Sequence, residues 1–261
     1  MIQLEHGIKI NINIGKSIFS DKEICNILKQ AKGLPAVTTL DLSDSCFSGA
    51  GLGALNISLK QMERVILSWV RNLIDSVVQG RLLNNRSDLK ELYLRDNMIS
   101  EEALEDVKLP MLEELRLCRC RNLTDTGVQG LLRNNRSDLK ILYLNANLIS
   151  DGALEDVQLP MLEELRLNGC WKLTDTGVQQ VLTTSGATLK ILELGHSQLS
   201  DAALEGGNLP KLEELGMYGC WNLNDAGANK VLINRGSTLK ILNLGYTEIT
   251  IAALEGVILP K

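Results

Sequence analysis

The most constraining feature of this chain is a unit that returns every 50 residues. A hexapeptide first seen as LKELYL recurs between copies of a second one, LEELRL, and two degenerate copies precede them. The copies begin at Val37, Met62, Leu89, Leu112, Leu139, Leu162, Leu189, Leu212 and Leu239. These nine turns settle into alternating lengths of 27 and 23 residues. Periods of this size are typical of stacked supersecondary units, so we expect a solenoid rather than one wide core.

Each turn follows the pattern L-x-x-L-x-L-x-x-N/C-x-L. The x-L-x-L portion has the period of a strand, with leucine inward and the alternate residues outward. The ninth position holds cysteine in the long turns and asparagine in the short ones: Cys120, Cys170 and Cys220, against Asn97 and Asn147. Asparagine there can satisfy backbone groups of a bending chain, and a buried thiol fills similar space. Val70 departs from the pattern and predicts an irregular turn.

The pattern resembles the leucine-rich repeat over residues 37–261. The resemblance implies an α/β fold, a right-handed horseshoe with a parallel concave β-sheet and with helices and 3₁₀ turns on the convex side. The long turns continue as LTDTGV, as in the cysteine-containing repeats of ubiquitin-ligase substrate-recognition subunits. Thr124 or Thr174 is expected to N-cap a helix with an aspartate in its first turn. Serine or threonine at 100, 150, 200 and 250 has the same predicted role in the short turns.

Residues 1–36 do not follow the repeat. Isoleucines at 8, 10, 12 and 14 alternate with polar residues and predict one more strand. Ser20 and Asp21 then open an amphipathic helix that Gly33 and Pro35 close. We interpret residues 1–36 as an N-terminal cap of the first layer. At the other end, residues 259–261 stand where another strand is due, which favours truncation over an edge covered by a partner.

Composition narrows the classes of partner and location. The net charge of −5 gives no basic footprint for nucleic acid. No apolar run of about 18 residues predicts a membrane span. The N-terminus lacks the basic and apolar segments of a signal peptide, so we expect the six cysteines to be reduced thiols in a cytoplasm. Delivery into the cytosol of a host cell is compatible with the same observations.

Residues for catalysis or metal binding are sparse. The two histidines, His6 and His196, lie far apart in the repeat, and no nucleophile is placed against them. Cys118 and Cys120 form a C-x-C, but no second pair completes a tetrahedral zinc set. We therefore predict no enzyme activity, no cofactor, no metal and no small-molecule substrate. An enzyme acting through His196 or Cys118 is the least favoured alternative.

Residues at equal offsets in successive turns form columns along a parallel sheet. One column alternates lysine with glutamate from Lys90 to Lys240, and we interpret it as structural or solubilising. Other columns and the strand exits hold tyrosine, tryptophan and arginine, the types enriched in interface hot spots. The predicted partner-binding residues are Trp69, Tyr93, Arg95, Arg116, Arg119, Tyr143, Asn145, Arg166, Trp171, His196, Tyr218, Trp221 and Tyr246.

These patterns favour a non-catalytic protein-interaction module that holds a partner protein on its concave face. Near-identical tandem copies without a signal peptide also resemble the leucine-rich-repeat effectors of intracellular bacteria. This resemblance implies a host protein or a co-secreted effector as partner, and a role as inhibitor or regulator of an enzyme or effector. The cysteine-type repeats support the alternative, the substrate-recognition part of a ubiquitin ligase.

Overall fold

The computed structural model describes residues 10–31, 37–48, 62–70, 72–73, 75–83, 88–104, 106–135, 137–205, 207–235 and 238–257. Over these ranges ten parallel strands form one sheet in chain order. The strands are β1 Ile10–Asn13, β2 Val37–Asp41, β3 Arg64–Ile66, β4 Glu91–Tyr93, β5 Glu114–Arg116, β6 Ile141–Tyr143, β7 Glu164–Arg166, β8 Ile191–Glu193, β9 Glu214–Gly216 and β10 Ile241–Asn243. This is the leucine-rich-repeat solenoid that the sequence predicts.

The sheet is held in register by its leucines. Leu142 at the centre of β6 lies opposite Leu115 and Leu165 of the neighbouring strands, and all three are fully buried. The outer two residues of each short strand alternate to the opposite, partly exposed face. β1 pairs with β2, so the strand predicted in the N-terminal segment joins the same sheet. Three predicted features lie outside the described residues: the start of this strand at Ile8, the Gly33 and Pro35 that close the predicted helix, and residues 259–261.

Helices and 3₁₀ segments connect the strands on the other side. The α-helices are α1 Asp21–Ala31, α2 Asp75–Val77, α3 Asp125–Asn134, α4 Asp175–Ser185 and α5 Asp225–Arg235. The 3₁₀ segments of the short turns are Glu101–Ala103, Asp151–Ala153, Asp201–Leu204 and Ile251–Leu254. In the turn of Val70, α2 passes into a π-helix, Val78–Leu83, which is the irregularity that the sequence predicts there.

The predicted helix caps are only partly confirmed. The side chain of Thr124 accepts a hydrogen bond from the Gly127 amide, as an N-cap should. Thr174 has the extended backbone of an N-cap, but its side chain makes no capping bond. Its hydroxyl donates instead to Asp151 of the preceding turn at 2.5 Å. Thr174 therefore occupies the predicted N-cap position, but its side chain does not make the expected capping bond.

Carboxylates at helix starts link successive turns. Asp175, the first residue of α4, accepts hydrogen bonds from the amide and hydroxyl of Ser200 at 2.8 and 2.6 Å. Asp225 in α5 holds Thr250 in the same way, at 2.7 and 2.6 Å. These aspartates fit the helix dipole, as their position in the first turn predicts. Because each aspartate also binds the next short turn, these hydrogen bonds link neighbouring turns along the convex side.

A second set of bonds runs through the buried ninth position. The Asn97 amide donates to the carbonyls of Leu67 and Leu94, both at 2.8 Å, and its oxygen accepts from the Val70 amide at 3.0 Å. The Cys120 thiol donates to the same Leu94 carbonyl at 3.0 Å. Cys170 and Cys220 repeat this bond one and two units later. All three thiols are fully buried, which confirms the predicted cysteine ladder.

Candidate functional site

Seven of the thirteen predicted contact residues lie in two columns of the partly exposed sheet face. Sheet register places Tyr93, Arg116, Tyr143 and Arg166 side by side on β4 to β7. Two residues further along, backbone hydrogen bonds align a second column: Arg95, Cys118, Asn145, Asn168, Gly195 and Tyr218. The residues that were predicted to form columns because of their equal offsets are therefore neighbours in the structure.

The first column forms an alternating cation–aromatic stack. The Arg116 guanidinium lies 4.7 Å from the ring centre of Tyr93 and 4.4 Å from that of Tyr143. Arg166 lies 5.3 Å from the other side of the Tyr143 ring. Such contacts restrain long side chains in a single conformation and contribute about 0.5–2 kcal/mol each. The stack is therefore an ordered surface rather than four independent side chains.

Carboxylates anchor this stack from the amino side of the strands. Tyr93 donates to Glu91, and Tyr143 donates to Glu164, each at 2.7 Å. Arg166 also donates to Glu164, at 2.6 Å. Burial and the hydrogen bond to Glu164 raise the pKa of Tyr143, so its hydroxyl stays protonated and donating. The Arg116 guanidinium makes the corresponding contact with Glu114.

These carboxylates were not among the predicted contact residues. The sequence does carry a signal for them, because strand alternation puts residues 91, 114 and 164 on the same face as residues 93, 116 and 166. The predicted charge pattern covered only the neighbouring lysine–glutamate column. That column does pair as an internal ladder: Lys140 contacts Glu113 at 2.7 Å, and Lys190 contacts Glu163 at 2.6 Å.

The second column borders a depression of about 480 Å³. It is lined by Arg95, Arg116, Cys118, Arg119, Tyr143, Asn145, Ala146, Arg166, Asn168, Gly169 and His196. Arg95 contacts Asp96 at 2.8 Å, and Arg119 reaches the same carboxylate at 3.7 Å. Seven of the thirteen predicted contact residues thus meet around one hollow, which the sequence columns did not reveal as a cavity.

The strand exits share one backbone conformation. The residue that follows the second column has positive φ in every described turn: Lys16, Asp44, Trp69, Asp96, Arg119, Ala146, Gly169, His196, Gly219 and Tyr246. This left-handed conformation disfavours side chains with a Cβ and is usually left to glycine. Four predicted contact residues, Trp69, Arg119, His196 and Tyr246, occupy it and are exposed. The bend turns the chain out of the sheet and displays them at its carboxyl edge.

Aromatic contacts extend this edge at both ends. Arg95 lies 5.6 Å from the ring centre of Trp69. At the other end, the Tyr218 ring lies 4.9 Å from His196 and 4.9 Å from Tyr246. Trp69, His196, Tyr218 and Tyr246 are therefore continuous with the columns, as predicted.

Trp171 and Trp221 are placed differently. The sequence grouped them with the strand-exit residues, but those positions in their turns are Gly169 and Gly219. The two tryptophans come two residues later, beyond the buried cysteines, and are 51% and 71% exposed. They are near the strand exits, but the repeat spacing already separates them from the exit residues: Trp171 lies nine residues after the start of its turn at Leu162, whereas Arg119 lies seven after Leu112. The two tryptophans do not line the depression.

Glu193 lies in the first column, where its surroundings disfavour the ionised carboxylate. Burial and a shared hydrogen bond with Glu214 raise its pKa above the ordinary value of 4.5, although Arg166, 4.0 Å away, acts in the opposite direction. Gly216 opposite has no Cβ, which leaves the room that Glu193 occupies. A raised carboxyl pKa in the fold means that stability is greatest below the unfolded pKa and falls as pH rises through the folded one.

We therefore predict that Glu193→Gln stabilises the protein at neutral pH. The gain should shrink as pH falls through the raised folded pKa and should be lost below about 4.5, where the wild-type carboxyl is protonated in both the folded and the unfolded chain. Urea unfolding at several pH values measures the difference. Glu155→Gln, the same change at an exposed residue on the helical side, is the control. A stabilisation by Glu193→Gln that is independent of pH contradicts this reading.

The buried thiols of the sheet are poorly suited to nucleophilic chemistry. Burial raises the pKa of Cys120 to about 12 and that of Cys170 to about 11, so the thiolate is scarce at neutral pH. Burial also raises the pKa of Cys118. Over the described residues, no cluster of three or more histidine, cysteine or acidic residues could hold a metal ion. In the same part of the chain, no helix is long and apolar enough to cross a membrane.

Comparisons with known proteins agree with this architecture. The profile of a family described as "Leucine Rich repeat" matches residues 158–181. The structure resembles that of Rad7 in its complex with Elc1 from yeast, with a TM-score of 0.69 and 18% identity over 87% of this chain. It also resembles TLR13 from a complex with ssRNA13 (TM-score 0.59, 20% identity, 92% of this chain) and an internalin from Listeria monocytogenes (0.57, 18%, 86%). No curated protein sequence matches the chain.

The ten-stranded parallel sheet and the structural neighbours show that this chain has a leucine-rich-repeat fold, and the family profile matches one stretch of its repeat. The chain spans 59% of the Rad7 chain, 33% of the TLR13 chain and 65% of the internalin chain, and the low identities make the likeness one of fold.

Proposed function

We propose that this protein is a non-catalytic binding module that holds a partner protein against its concave face. The observation that carries the proposal is the stack of Tyr93, Arg116, Tyr143 and Arg166 on adjacent strands. Tyrosine and arginine are the residues that most often dominate binding energy at interfaces. Because their own carboxylates already fix these side chains, little conformational entropy is lost when a partner docks.

The partner is proposed to be a host protein or a co-secreted effector, with inhibition or regulation as the result of covering its surface. Support comes from the bacterial origin of the internalin neighbour and from Rad7, which is in complex with a protein, Elc1. The TLR13 neighbour is in complex with ssRNA, but the net charge of −5 here argues against a nucleic-acid ligand. A cytoplasmic location is part of the proposal.

A comparative capture experiment tests this function. Wild-type protein and the double variant Tyr143→Ala/Arg166→Glu are used as parallel baits in lysates of the source organism and of a host cell, with quantitative mass spectrometry. We expect a partner that is enriched on the wild type and lost from the double variant. Arg133→Glu on the helical side is the control, because it makes the same charge reversal away from the sheet face. Equal recovery on all three baits contradicts the concave-face proposal.

A second candidate is the substrate-recognition part of a ubiquitin ligase. The buried cysteines of the long turns, Cys120, Cys170 and Cys220, favour it because the turns that carry them resemble the cysteine-containing repeats of those subunits. The same capture experiment separates the two candidates. Ligase scaffold proteins that persist on the double variant, while another protein is lost, indicate the recognition subunit. Recovery of a partner protein without ligase components indicates that this protein acts as an inhibitor or regulator.

A further inference from the structure

The depression beside the stack has an uneven distribution of charge. Four of its eleven lining residues are arginines, Arg95, Arg116, Arg119 and Arg166, and none is acidic. The carboxylates that balance them lie outside the lining set: Glu114 and Glu164 toward the amino ends of the strands, and Asp96 at the side. The hollow is therefore rimmed by guanidinium groups whose counter-charges sit behind them.

These arginines keep donors for a ligand. Arg95 and Arg116 donate to their carboxylates through Nε, and within the described residues no hydrogen bond uses their Nη groups. Arg119 reaches Asp96 only at 3.7 Å, which is longer than a good charge-assisted hydrogen bond. Arg116 also lies between the rings of Tyr93 and Tyr143, which restrain its guanidinium group. Planar, oriented donors of this kind recognise carboxylate or phosphate oxygens.

A buried hydrogen-bond acceptor in the same depression places a second requirement on the ligand. The side-chain oxygen of Asn145 is buried and has no hydrogen-bond partner within the described residues. The neighbouring Asn168 is already engaged, because its oxygen accepts from the Gly195 amide at 2.7 Å. An inorganic anion at neutral pH offers Asn145 few donors, whereas a peptide backbone offers N–H groups. The site fits a peptide that carries an acidic group.

We propose that the depression is a subsite for an acidic side chain of a bound protein segment. The acidic group lies among the donors of Arg95, Arg116 and Arg119, and a backbone N–H of the same segment donates to Asn145. The proposal rests on the proposed function, which supplies a protein as the ligand. It adds the chemistry that the partner must present at this point of the concave face.

Short blocked peptides test the subsite on the full chain without knowledge of the partner. The probes are acetyl-Ala-Asp-Ala-amide, its neutral match with Asn, its phosphoserine counterpart and inorganic phosphate. NMR of the arginine Nε–H and asparagine side-chain amide signals reports binding. We expect the Asp peptide to bind with a Kd on the order of 1 mM and to shift the Arg119 and Asn145 signals. The Asn peptide should bind about tenfold more weakly, and phosphate should leave the Asn145 signal unchanged.

A matched pair of variants locates the site. Arg119→Gln should weaken binding of the Asp peptide about tenfold, the loss expected for one charge-assisted hydrogen bond. Arg121→Gln removes the same charge two residues away, from an exposed side chain outside the depression, and should keep full affinity. Tighter binding of the phosphoserine peptide than of the Asp peptide identifies a phosphorylated residue as the acidic group, and the reverse order identifies a carboxylate.

Equal binding of the Asp and Asn peptides, or equal losses in the two variants, overturns the subsite. That result leaves the proposed function intact if the captured partner still distinguishes the wild type from Tyr143→Ala/Arg166→Glu. Capture that is unaffected by the double variant overturns the proposed function, whatever the peptides do. The two failures are therefore separable.

Discussion

Replacing Asn97 by alanine is expected to lower the free energy of unfolding by about 2–5 kcal/mol. The side chain is buried and makes three hydrogen bonds to backbone groups. The Leu94 carbonyl would keep the bond from the Cys120 thiol. The Leu67 carbonyl and the Val70 amide would lose this partner, and each buried group left unpaired costs about 1–3 kcal/mol. Urea unfolding followed by circular dichroism measures the change.

Two matched variants test the cause of this loss. Asn97→Cys should cost clearly less than Asn97→Ala, because a thiol at the equivalent position of the long turns still donates one hydrogen bond. Asn122→Ala removes an exposed amide that makes a single 2.9 Å bond to the Met98 carbonyl, and it should stay within about 0.5 kcal/mol of the wild type. If the alanine variants at 97 and 122 were equally stable, the ladder at the ninth position would not support the turns.

Leu142→Ala is expected to cost about 2–5 kcal/mol. This side chain is fully buried at the centre of the sheet and packs in register between Leu115 and Leu165. Each layer of a solenoid rests on its neighbours, so a cavity in a middle layer weakens the contacts on both sides. Thermal and urea unfolding should both show the loss.

Leu148→Ala provides the control for Leu142→Ala. It deletes the same atoms from a side chain that is 42% exposed beyond the strand exit. Less apolar area returns to water there, and no closed cavity forms, so the expected cost is below about 1 kcal/mol. Similar losses at positions 142 and 148 would mean that the two leucines do not face the core and the surface as described.

The repeat made the sheet predictable to the residue. Because alternating offsets of 23 and 27 residues map each turn onto the next, the leucine positions and the neighbours of Tyr93, Arg116 and Tyr143 follow from spacing, and the strand register confirms them. The buried cysteine ladder follows from the same periodicity. A local sequence pattern that repeats regularly is sufficient to predict the sheet when each unit contacts only its neighbours.

What the sequence did not reveal depends on contacts between turns and on backbone direction. The bond from Thr174 to Asp151 joins two layers, so the local N-cap signal at Thr174 did not predict it. Only the structure shows that Trp171 and Trp221, two residues beyond the exit positions Gly169 and Gly219, do not line the depression. The depression arises only when side chains from five adjacent turns are placed together in three dimensions.

Many polar groups of the concave face are already hydrogen-bonded within the protein, and this limits what a partner can gain from them. The tyrosine hydroxyls and arginine Nε groups are already paired with carboxylates, so a partner gains mainly from their rings, their apolar stems and the remaining Nη donors. Binding should therefore depend on shape and stacking, with a charge-dependent contribution concentrated at the depression. Raised salt should weaken that contribution without abolishing binding.

The most direct test of the concave-face claim is the Kd of the captured partner for wild-type protein and for Arg116→Ala. Arg116 lies at the centre of the stack, between the rings of Tyr93 and Tyr143, and it also lines the depression. Its removal should raise the Kd about 30-fold or more, which corresponds to about 2 kcal/mol for a central hot spot. Arg133→Ala on the helical side should leave the Kd unchanged. Equal Kd values for wild type and Arg116→Ala would contradict the assignment of the concave face as the binding surface.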